Sequence, residues 1–281
     1  MSTRGKDEES RALSHIIPSE AKKGWFGSIR FGSARPRAPP SKFIRIDPNA
    51  DARRAIDVLL HTWKIPPPCA MLSLAHGGAH NHTLTKEEDD DDAPAGPLDQ
   101  TMLRQLLRRG IAEAAQKTRA WLFTSGDTND IGAALGGGVM LYGANELDGF
   151  NSRPWTSPCI GVAPWSALSD REELEQLPLG MVHRDQGRAS STDAETIQLD
   201  CHHTHFVLVD GSWDDAVAFR AKLEKYISDH DISNDNIQTP KTVLVVGGDQ
   251  TTLEVCRGAL DAEDASTGTA LPCMVVADSG G

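Results

Sequence analysis

The stretch VLVVGGDQTTLEV, residues 243–255, joins an apolar run to two glycines and then to polar residues that can start a helix. A bare backbone corner between a strand and a helix lets an anion approach closely, and the amino terminus of the helix favours negative charge. The stretch therefore predicts a phosphate-binding corner formed by Gly247, Gly248, Asp249, Gln250 and Thr251.

Strands alternate with helices along most of the chain around this corner. Short, mostly continuous apolar runs are typical of a parallel sheet that is covered on both faces. We therefore predict an α/β fold with a Rossmann-like, doubly wound, mainly parallel sheet. The predicted strands are 70–75, 119–127, 157–166, 203–212, 242–248 and 272–281, and the predicted helices are 98–118, 128–143, 213–230 and 251–263.

The first part of the chain has a different composition. Residues 1–45 are polar and rich in Arg, Pro, Gly and Ser, so we predict a flexible N-terminal segment followed by one folded domain over residues 46–281. That domain is expected to open with a helix over residues 47–63, with Asp47 as its N-cap and Pro48 at its first position.

Two further segments are predicted to be irregular. The run KEEDDDDAPAGP, residues 86–97, contains six consecutive carboxylates, which repel one another and favour a solvated acidic loop. The run lacks the alternating ligands of a regular Ca²⁺ loop. Residues 167–197 are expected to form a loop with a short helix.

Composition limits the partners of the chain. The net charge of −12 argues against nucleic acid as a partner, although a nucleotide can still bind through backbone amides and one or two Arg side chains. The five Cys residues are scattered and form no CxxC pair, which indicates a reduced, cytosolic location. No apolar run approaches the ~18 residues that a membrane span requires.

Four of the predicted strands end in glycine-bearing turns. Parallel sheets of this kind bind ligands at the carboxyl ends of their strands. One such turn needs no explanation beyond tight geometry, but four at one edge of a sheet favour a phosphate site. Besides the corner after residue 246, the candidate ligand-binding residues are His76, Gly77, Gly78, Ala79, His80, Asn81, Thr124, Ser125, Gly126, Asp127, Ser279 and Gly280.

Six blocks of the sequence are similar to a known family. KTRAWLFTSG, CIGVAPW, LDCHHTHFVLVDG, FRAKLEKYIS, VLVVGGDQTTL and PCMVVADSGG follow one another as in the cytosolic N-terminal homology region of melastatin-type TRP cation channels. The resemblance covers roughly residues 25–281. It implies a nucleotide-binding domain of the SLOG superfamily, a cytosolic part of a membrane protein. Its partners would be the other parts of the channel and neighbouring subunits in a tetramer.

The resemblance is greatest to the ADP-ribose-sensing branch of these channels. It implies that ADP-ribose or a related adenine nucleotide is the ligand, with no cofactor, and that Arg220 and an aromatic ring hold the adenine. The aromatic position of the family pattern falls on Trp213 in this sequence, and Trp165 is the next candidate. Stacking of a base on an aromatic ring contributes about 1–3 kcal/mol.

The corner also resembles the PGGxGTxxE signature of SLOG phosphoribohydrolases. Gly247, Gly248, Thr251 and Glu254 match that signature, but Val246 stands in place of Pro, and Gln250 replaces the third Gly. No Arg-containing motif completes the signature, so we predict a binding domain without catalytic residues. A phosphoribohydrolase-like enzyme and a purely structural assembly domain remain the alternatives.

Histidine and cysteine are concentrated in two further segments. HGGAHNH contains His76, His80 and His82, while CHHTH contains a cysteine and three histidines. Imidazole and thiolate suit Zn²⁺ or Cu²⁺, but these spacings differ from those of structural zinc sites. We therefore predict no metal site, and we expect His205 to be a buried, hydrogen-bonded imidazole.

Overall fold

The computed structural model describes residues 26–31, 40–76, 105–128, 132, 135–139, 157–169, 171–175, 181–184, 196–233, 235, 237–248, 250–261 and 272–276. In these residues the strands are β1 (Phe26–Phe31), β2 (Ser41–Ile46), β3 (Ala70–His76), β4 (Ala120–Thr124), β5 (Cys159–Pro164), β6 (Met181–Arg184), β7 (His205–Val209), β8 (Lys241–Val246) and β9 (Cys273–Val276).

The described strands form one sheet with the order β6-β1-β2-β7-β5-β4-β3-β8-β9. Every pairing among them is parallel except the antiparallel pair β1–β2. The predicted mainly parallel sheet is therefore confirmed.

Helices cover both faces of the sheet. Helix α1 (Ala52–Asp57) continues as a π-helical turn over Val58–Thr62. Helix α2 is π-helical over Leu106–Ile111 and α-helical over Ala112–Thr118. The remaining helices are α3 (Arg171–Glu175), α4 (Trp213–Asp229) and α5 (Gln250–Asp261). Phe123 packs with α1 and α4, whereas its neighbour Leu122 packs with α2. Since successive strand residues point to opposite faces, these helices lie on opposite sides of the sheet.

The long helix α4 shows how the sequence determines a local element. Ser212 accepts a hydrogen bond from the backbone N–H of Asp215, and the Asp215 side chain bonds back to the N–H of Ser212, which forms a capping box. The buried residues of the helix recur every three or four positions, so one apolar stripe faces the sheet. They include Ala216, Phe219, Leu223 and Ile227.

The N-terminal prediction is wrong for the described residues before position 46. Phe26–Phe31 and Ser41–Ile46 form β1 and β2, and β2 pairs in parallel with β7. The predicted boundary after residue 45 therefore falls inside a strand. Ile29 and Phe31 of β1 are almost fully buried, and burial of such side chains stabilises an ordered segment by about 1.5–3 kcal/mol each.

Two smaller predictions also need correction. The first helix begins at Ala52 rather than after Asp47, because Asp51 is the N-cap and accepts from the N–H of Arg53. Asp47 instead accepts from the N–H of Asn49 in the preceding turn. Within residues 167–197, the predicted short helix corresponds to α3, but the strand β6, which pairs with β1, was not predicted. The acidic run at 86–97 lies outside the described residues.

Two glycines allow the turn after β4 to touch β5. Gly126 has a left-handed φ of 77°, and a Cβ atom built there would lie 2.7 Å from the Cα of Gly161. A Cβ atom on Gly161 would in turn lie 2.5 Å from the Cα of Gly126. Neither backbone can move away easily, because Thr124 and Gly161 are paired in the sheet.

Gly126→Ala is therefore expected to destabilise the protein by about 2–4 kcal/mol, since it combines left-handed strain with an overpacked contact. Gly110→Ala is the matched control, because among the described residues a Cβ atom there would meet only Leu106, at 3.4 Å, and alanine favours the helix by up to about 1 kcal/mol. Urea unfolding of both variants gives the comparison. Equal stabilities would show that the contact between Gly126 and Gly161 is not constrained.

Candidate functional site

The order in which the chain adds strands to the sheet reverses between β3 and β8. From β3 the chain continues to β4 and β5 on one side, whereas β8 and β9 lie on the other side. The last residues of these two strands, His76 and Val246, are paired. Ligands of doubly wound sheets bind at such a switch point, in the crevice outside the carboxyl ends of the strands.

The predicted phosphate corner lies at this switch point. Gly247 follows β8 with a left-handed φ of 64°, and Gly248 is exposed. Helix α5 begins at Gln250, two residues after Gly248, and the first N–H groups of an α-helix have no acceptor within the helix itself. Gln250 and Thr251 are described as part of α5, whereas Asp249 lies outside the described residues. Also outside the described residues are Gly77, Gly78, Ala79, His80, Asn81, Ser279 and Gly280.

The turn after β4 is joined to the end of β3 by side-chain contacts. His76 Nε2 lies 3.0 Å from Ser125 Oγ, and the Ser125 hydroxyl donates to the Asp127 carboxylate at 3.2 Å. The N–H of Gly126 donates to Thr124 Oγ1 at 2.9 Å. The structure thus brings five of the predicted residues together at one edge of the sheet.

A buried polar chain supports that turn. Thr124 Oγ1 lies 2.6 Å from His203 Nε2, and His203 Nδ1 lies 2.8 Å from the Asp200 carboxylate. Burial would lower the pKa of His203, but Cys159 and the Asp200 carboxylate outweigh it and raise the pKa. All three side chains are almost completely buried. This series of hydrogen-bonded side chains therefore orients the turn and does not contact a substrate.

His202 and His205 lie next to these hydrogen-bonded side chains, and their pKa values are shifted in opposite directions. Hydrogen bonds with Asp200 and Cys201 raise the pKa of His202 to about 9 despite burial. Burial, together with the charge of Lys42, lowers the pKa of His205 to about 3. Its Nδ1 lies 2.8 Å from Thr204 Oγ1. His205 is the buried, hydrogen-bonded imidazole that the sequence predicted.

Arg220 is buried beneath the crevice. Its Nη2 donates to the carbonyl oxygens of Leu74 and Phe123, each at 2.9 Å. The pairing between β3 and β4 ends at Ser73 and Phe123, so the guanidinium fills the gap where these strands separate. Its Nε donates to Glu224 at 2.7 Å, and Nη1 takes part in none of these bonds.

Glu224 holds two buried cations. It accepts from Arg220 on one carboxylate oxygen and from Lys241 on the other at 2.7 Å, and the Ser73 hydroxyl also donates to it. Burial alone would raise the pKa of the Glu224 carboxyl, but the charges of Lys241 and Arg220 lower it to about 2. The sequence analysis did not identify this cluster, although the spacing of Arg220 and Glu224 is that of a helical ion pair.

A cavity of about 240 Å³ lies between α4 and α5, over this ion cluster. This volume is smaller than the roughly 300–1,000 Å³ of drug-sized ligand sites, so it fits one part of a dinucleotide. Arg220, Glu224 and Lys241 contribute to its wall, and Asp214 and Glu254 are exposed at it. The other lining residues are Val217, Ala218, Ala221 and Val255.

The predicted aromatic residues lie elsewhere. Trp213 is the first residue of α4 and packs, half-buried, against a cluster that includes Phe206 and Trp165. Its Nε1 is buried and has no acceptor among the described residues. Trp165 is 3% exposed and is covered by the Arg45 guanidinium at 4.4 Å. In this conformation Arg220 lines the cavity and neither indole does.

The comparisons with known proteins agree with this architecture. The model of a family described as SLOG in TRPM matches residues 41–281. The chain belongs to this family. The match confirms the resemblance to the N-terminal region of melastatin-type channels, and it covers the candidate site from β3 to β9.

Several channel subunits are similar to this SLOG chain. Transient receptor potential cation channel subfamily M member 4 of Rattus norvegicus is 28% identical over 86% of the chain and 18% of that relative. Subfamily M member 2 of Rattus norvegicus is 25% identical over 98% of the chain and 16% of the relative. A transient receptor potential channel of Caenorhabditis elegans is 28% identical over 80% of the chain and 10% of the relative. The chain thus spans less than a fifth of these relatives.

None of its described helices combines the length and apolarity needed to cross a membrane.

Glu224→Gln is expected to destabilise the protein by about 3–5 kcal/mol at neutral pH, because it leaves two buried cations without their counter-charge. The folded-state pKa of Glu224 lies below its usual value of 4.5. Its contribution is therefore complete above pH 4.5 and is lost as the pH falls through about 2. The stability difference between wild type and variant should shrink over that range.

Glu113→Gln is the matched control, because Glu113 forms an exposed i,i+4 pair with Lys117. Such a pair contributes about 0.3–0.5 kcal/mol. Urea unfolding from pH 7 to pH 3 compares the two variants. Equal losses for the two substitutions would contradict the importance of the buried cluster.

Proposed function

We propose that this chain is the cytosolic, ligand-sensing domain of a melastatin-type TRP cation channel and that it binds ADP-ribose or a related adenine nucleotide. Family membership supports the channel context. The remaining parts of the channel and neighbouring subunits of a tetramer are its proposed protein partners. The ligand class rests on the resemblance to the ADP-ribose-sensing branch and on the chemistry of the crevice.

The phosphate corner is the observation that carries the proposal. Gly247 and Gly248 follow β8 at the switch point, and the N–H groups of α5 begin beside them. Such a corner binds phosphate through backbone amides and the helix dipole, without a cluster of Lys or Arg. This mode of binding is compatible with a chain of net charge −12. The pyrophosphate of the ligand is assigned to this corner.

The cavity between α4 and α5 suits the adenine end of the ligand. Val217, Ala218 and Val255 offer apolar wall, and Arg220 offers a planar guanidinium whose Nη1 is not used by its bonds to the sheet. Guanidinium planes stack on bases. The contact between His76 and Ser125 lies at the ends of β3 and β4. We assign it to binding of the ribose and its phosphate.

Trp213 is kept as the proposed stacking partner. It precedes Arg220 by seven residues, about 10 Å along the helix, so its indole has to leave its present cluster to reach the adenine. That movement would also give the buried Nε1 donor access to an acceptor. An unsatisfied buried donor costs about 1–3 kcal/mol.

An SLOG hydrolase is the second candidate, and one observation favours it. Glu254, the glutamate of the partial hydrolase signature, lines the same cavity as Arg220. The bonds of Arg220 to Glu224, Ser73 and two carbonyl oxygens, however, hold its guanidinium in the sheet. We therefore favour binding without turnover.

Gly248→Val is expected to weaken ADP-ribose binding at least tenfold, because its branches would occupy the space where the phosphates approach the backbone. Among the described residues, a Cβ atom at this position would meet only Thr252, at the ordinary contact distance of 3.8 Å. Gly247 is a poorer choice because its positive φ disfavours any side chain. Calorimetry with ADP-ribose measures the effect, and Gly110→Ala is the control. Wild-type affinity in Gly248→Val would exclude the corner as the site.

ADP-ribose incubated overnight with the protein should be recovered intact, because no complete catalytic motif accompanies Glu254. Chromatography of the ligand checks this result, and Glu254→Gln is the comparison. Release of free adenine, the product of N-glycosidic cleavage, that disappears in Glu254→Gln would establish the hydrolase instead. Failure of ADP-ribose, AMP, ATP and NAD alike to bind would favour the purely structural role.

A further inference from the structure

A second group of chemistry-bearing side chains lies in the turn that precedes β7. Asp200, Cys201 and His202 each offer a ligand atom for a metal, and these atoms lie within 4.8 Å of one another. The Asp200 and His202 side chains are 3% and 36% exposed, and Cys201 is buried. The group is therefore internal but accessible from the His202 side.

The surrounding bonds fix the Asp200 carboxylate. The N–H of Asp200 donates to the carbonyl of Gly126 at 2.9 Å, and His203 Nδ1 lies 2.8 Å from Asp200 Oδ2. His203 Nε2 in turn lies 2.6 Å from Thr124 Oγ1. The other oxygen, Oδ1, is directed to His202. A ligand carboxylate oriented by a hydrogen bond on its second oxygen is typical of metal sites.

The two distances from His202 Nδ1 are close to those around a small tetrahedral ion. His202 Nδ1 lies 3.0 Å from Asp200 Oδ1 and 3.6 Å from Cys201 Sγ. Zinc bonds of about 2.0–2.3 Å in a tetrahedron put neighbouring ligand atoms roughly 3.3–3.6 Å apart. Around His202 Nδ1 an ion could therefore take the place of the shared proton with shifts of only tenths of an ångström, and all three ligand atoms lie within 4.8 Å of one another.

We infer that Asp200, Cys201 and His202 form a binding site for one Zn²⁺ ion, with water as the fourth ligand. A carboxylate and a thiolate balance the charge of the ion. The sulfur and imidazole ligands favour Zn²⁺ over Mg²⁺ and Ca²⁺, which prefer oxygen. Binding releases the thiol proton of Cys201 and the Nδ1 proton of His202 to solvent. The inference departs from our prediction of no metal site and does not depend on the nucleotide proposal.

The test uses the purified, untagged chain after treatment with a chelator. Titration should show a tight site for Zn²⁺ that Mg²⁺ does not compete for, and Zn²⁺ should raise the melting temperature. Co²⁺ at the same site should give a thiolate-to-cobalt charge-transfer absorption. Cys201→Ser should abolish that absorption. Both Cys201→Ser and His202→Ala should weaken Zn²⁺ binding at least about tenfold.

Matched controls separate this site from other thiols and imidazoles. Cys69→Ser and His61→Ala change exposed residues far along the chain and should leave both signals intact. Wild-type Zn²⁺ affinity in folded Cys201→Ser or His202→Ala would overturn the inference, as would an unchanged cobalt absorption in Cys201→Ser. Circular dichroism of the metal-free variants checks the fold. His202 is partly exposed, so His202→Ala decides the question if Cys201→Ser does not fold.

Discussion

The buried ion pair between Glu224 and Arg220 joins helix α4 to strands β3, β4 and β8 of the sheet. Lys241 from β8 completes it, and Arg220 also binds carbonyl oxygens of β3 and β4. Three buried charges are tolerated only as a unit, because removal of one leaves the others without compensation. The ends of β3, β4 and β8 form the candidate site, so this cluster determines the geometry of the crevice.

The turn after β4 is supported from both faces of the sheet. Arg220 binds the Phe123 carbonyl on the side of α4, while the chain of Asp200, His203 and Thr124 supports the turn on the side of α2. A turn held in this way is preorganised, which reduces the ordering cost of binding. A ligand group that meets Nη1 of Arg220 acts on α4 and on the strands together, which suits a sensing role.

The sequence predicted the parts of the fold that depend on local patterns. The apolar runs predicted the parallel strands β3, β4, β5, β7, β8 and β9, and their glycine-bearing ends indicated an edge where His76 and Ser125 do meet. β1, β2 and β6 were missed because their stability depends on pairing between segments far apart in the chain, β1 with β6 and β2 with β7. The burial of Arg220 and the separation of Trp213 from the cavity were missed for a related reason: helical spacing indicates a shared stripe but not what that stripe packs against.

The position of β2 has a consequence for synthesis of the chain. β2 pairs with β1 and with β7, and the Ser41 hydroxyl bonds to the carbonyl of His203 across 162 residues. A two-stranded hairpin is marginally stable by itself, so on the ribosome β1 and β2 must wait until β7 has emerged. Until then β5 also lacks its neighbour and presents an open edge. A nascent chain that stalls before residue 205 is therefore exposed to aggregation, and a chaperone would be needed most at that length.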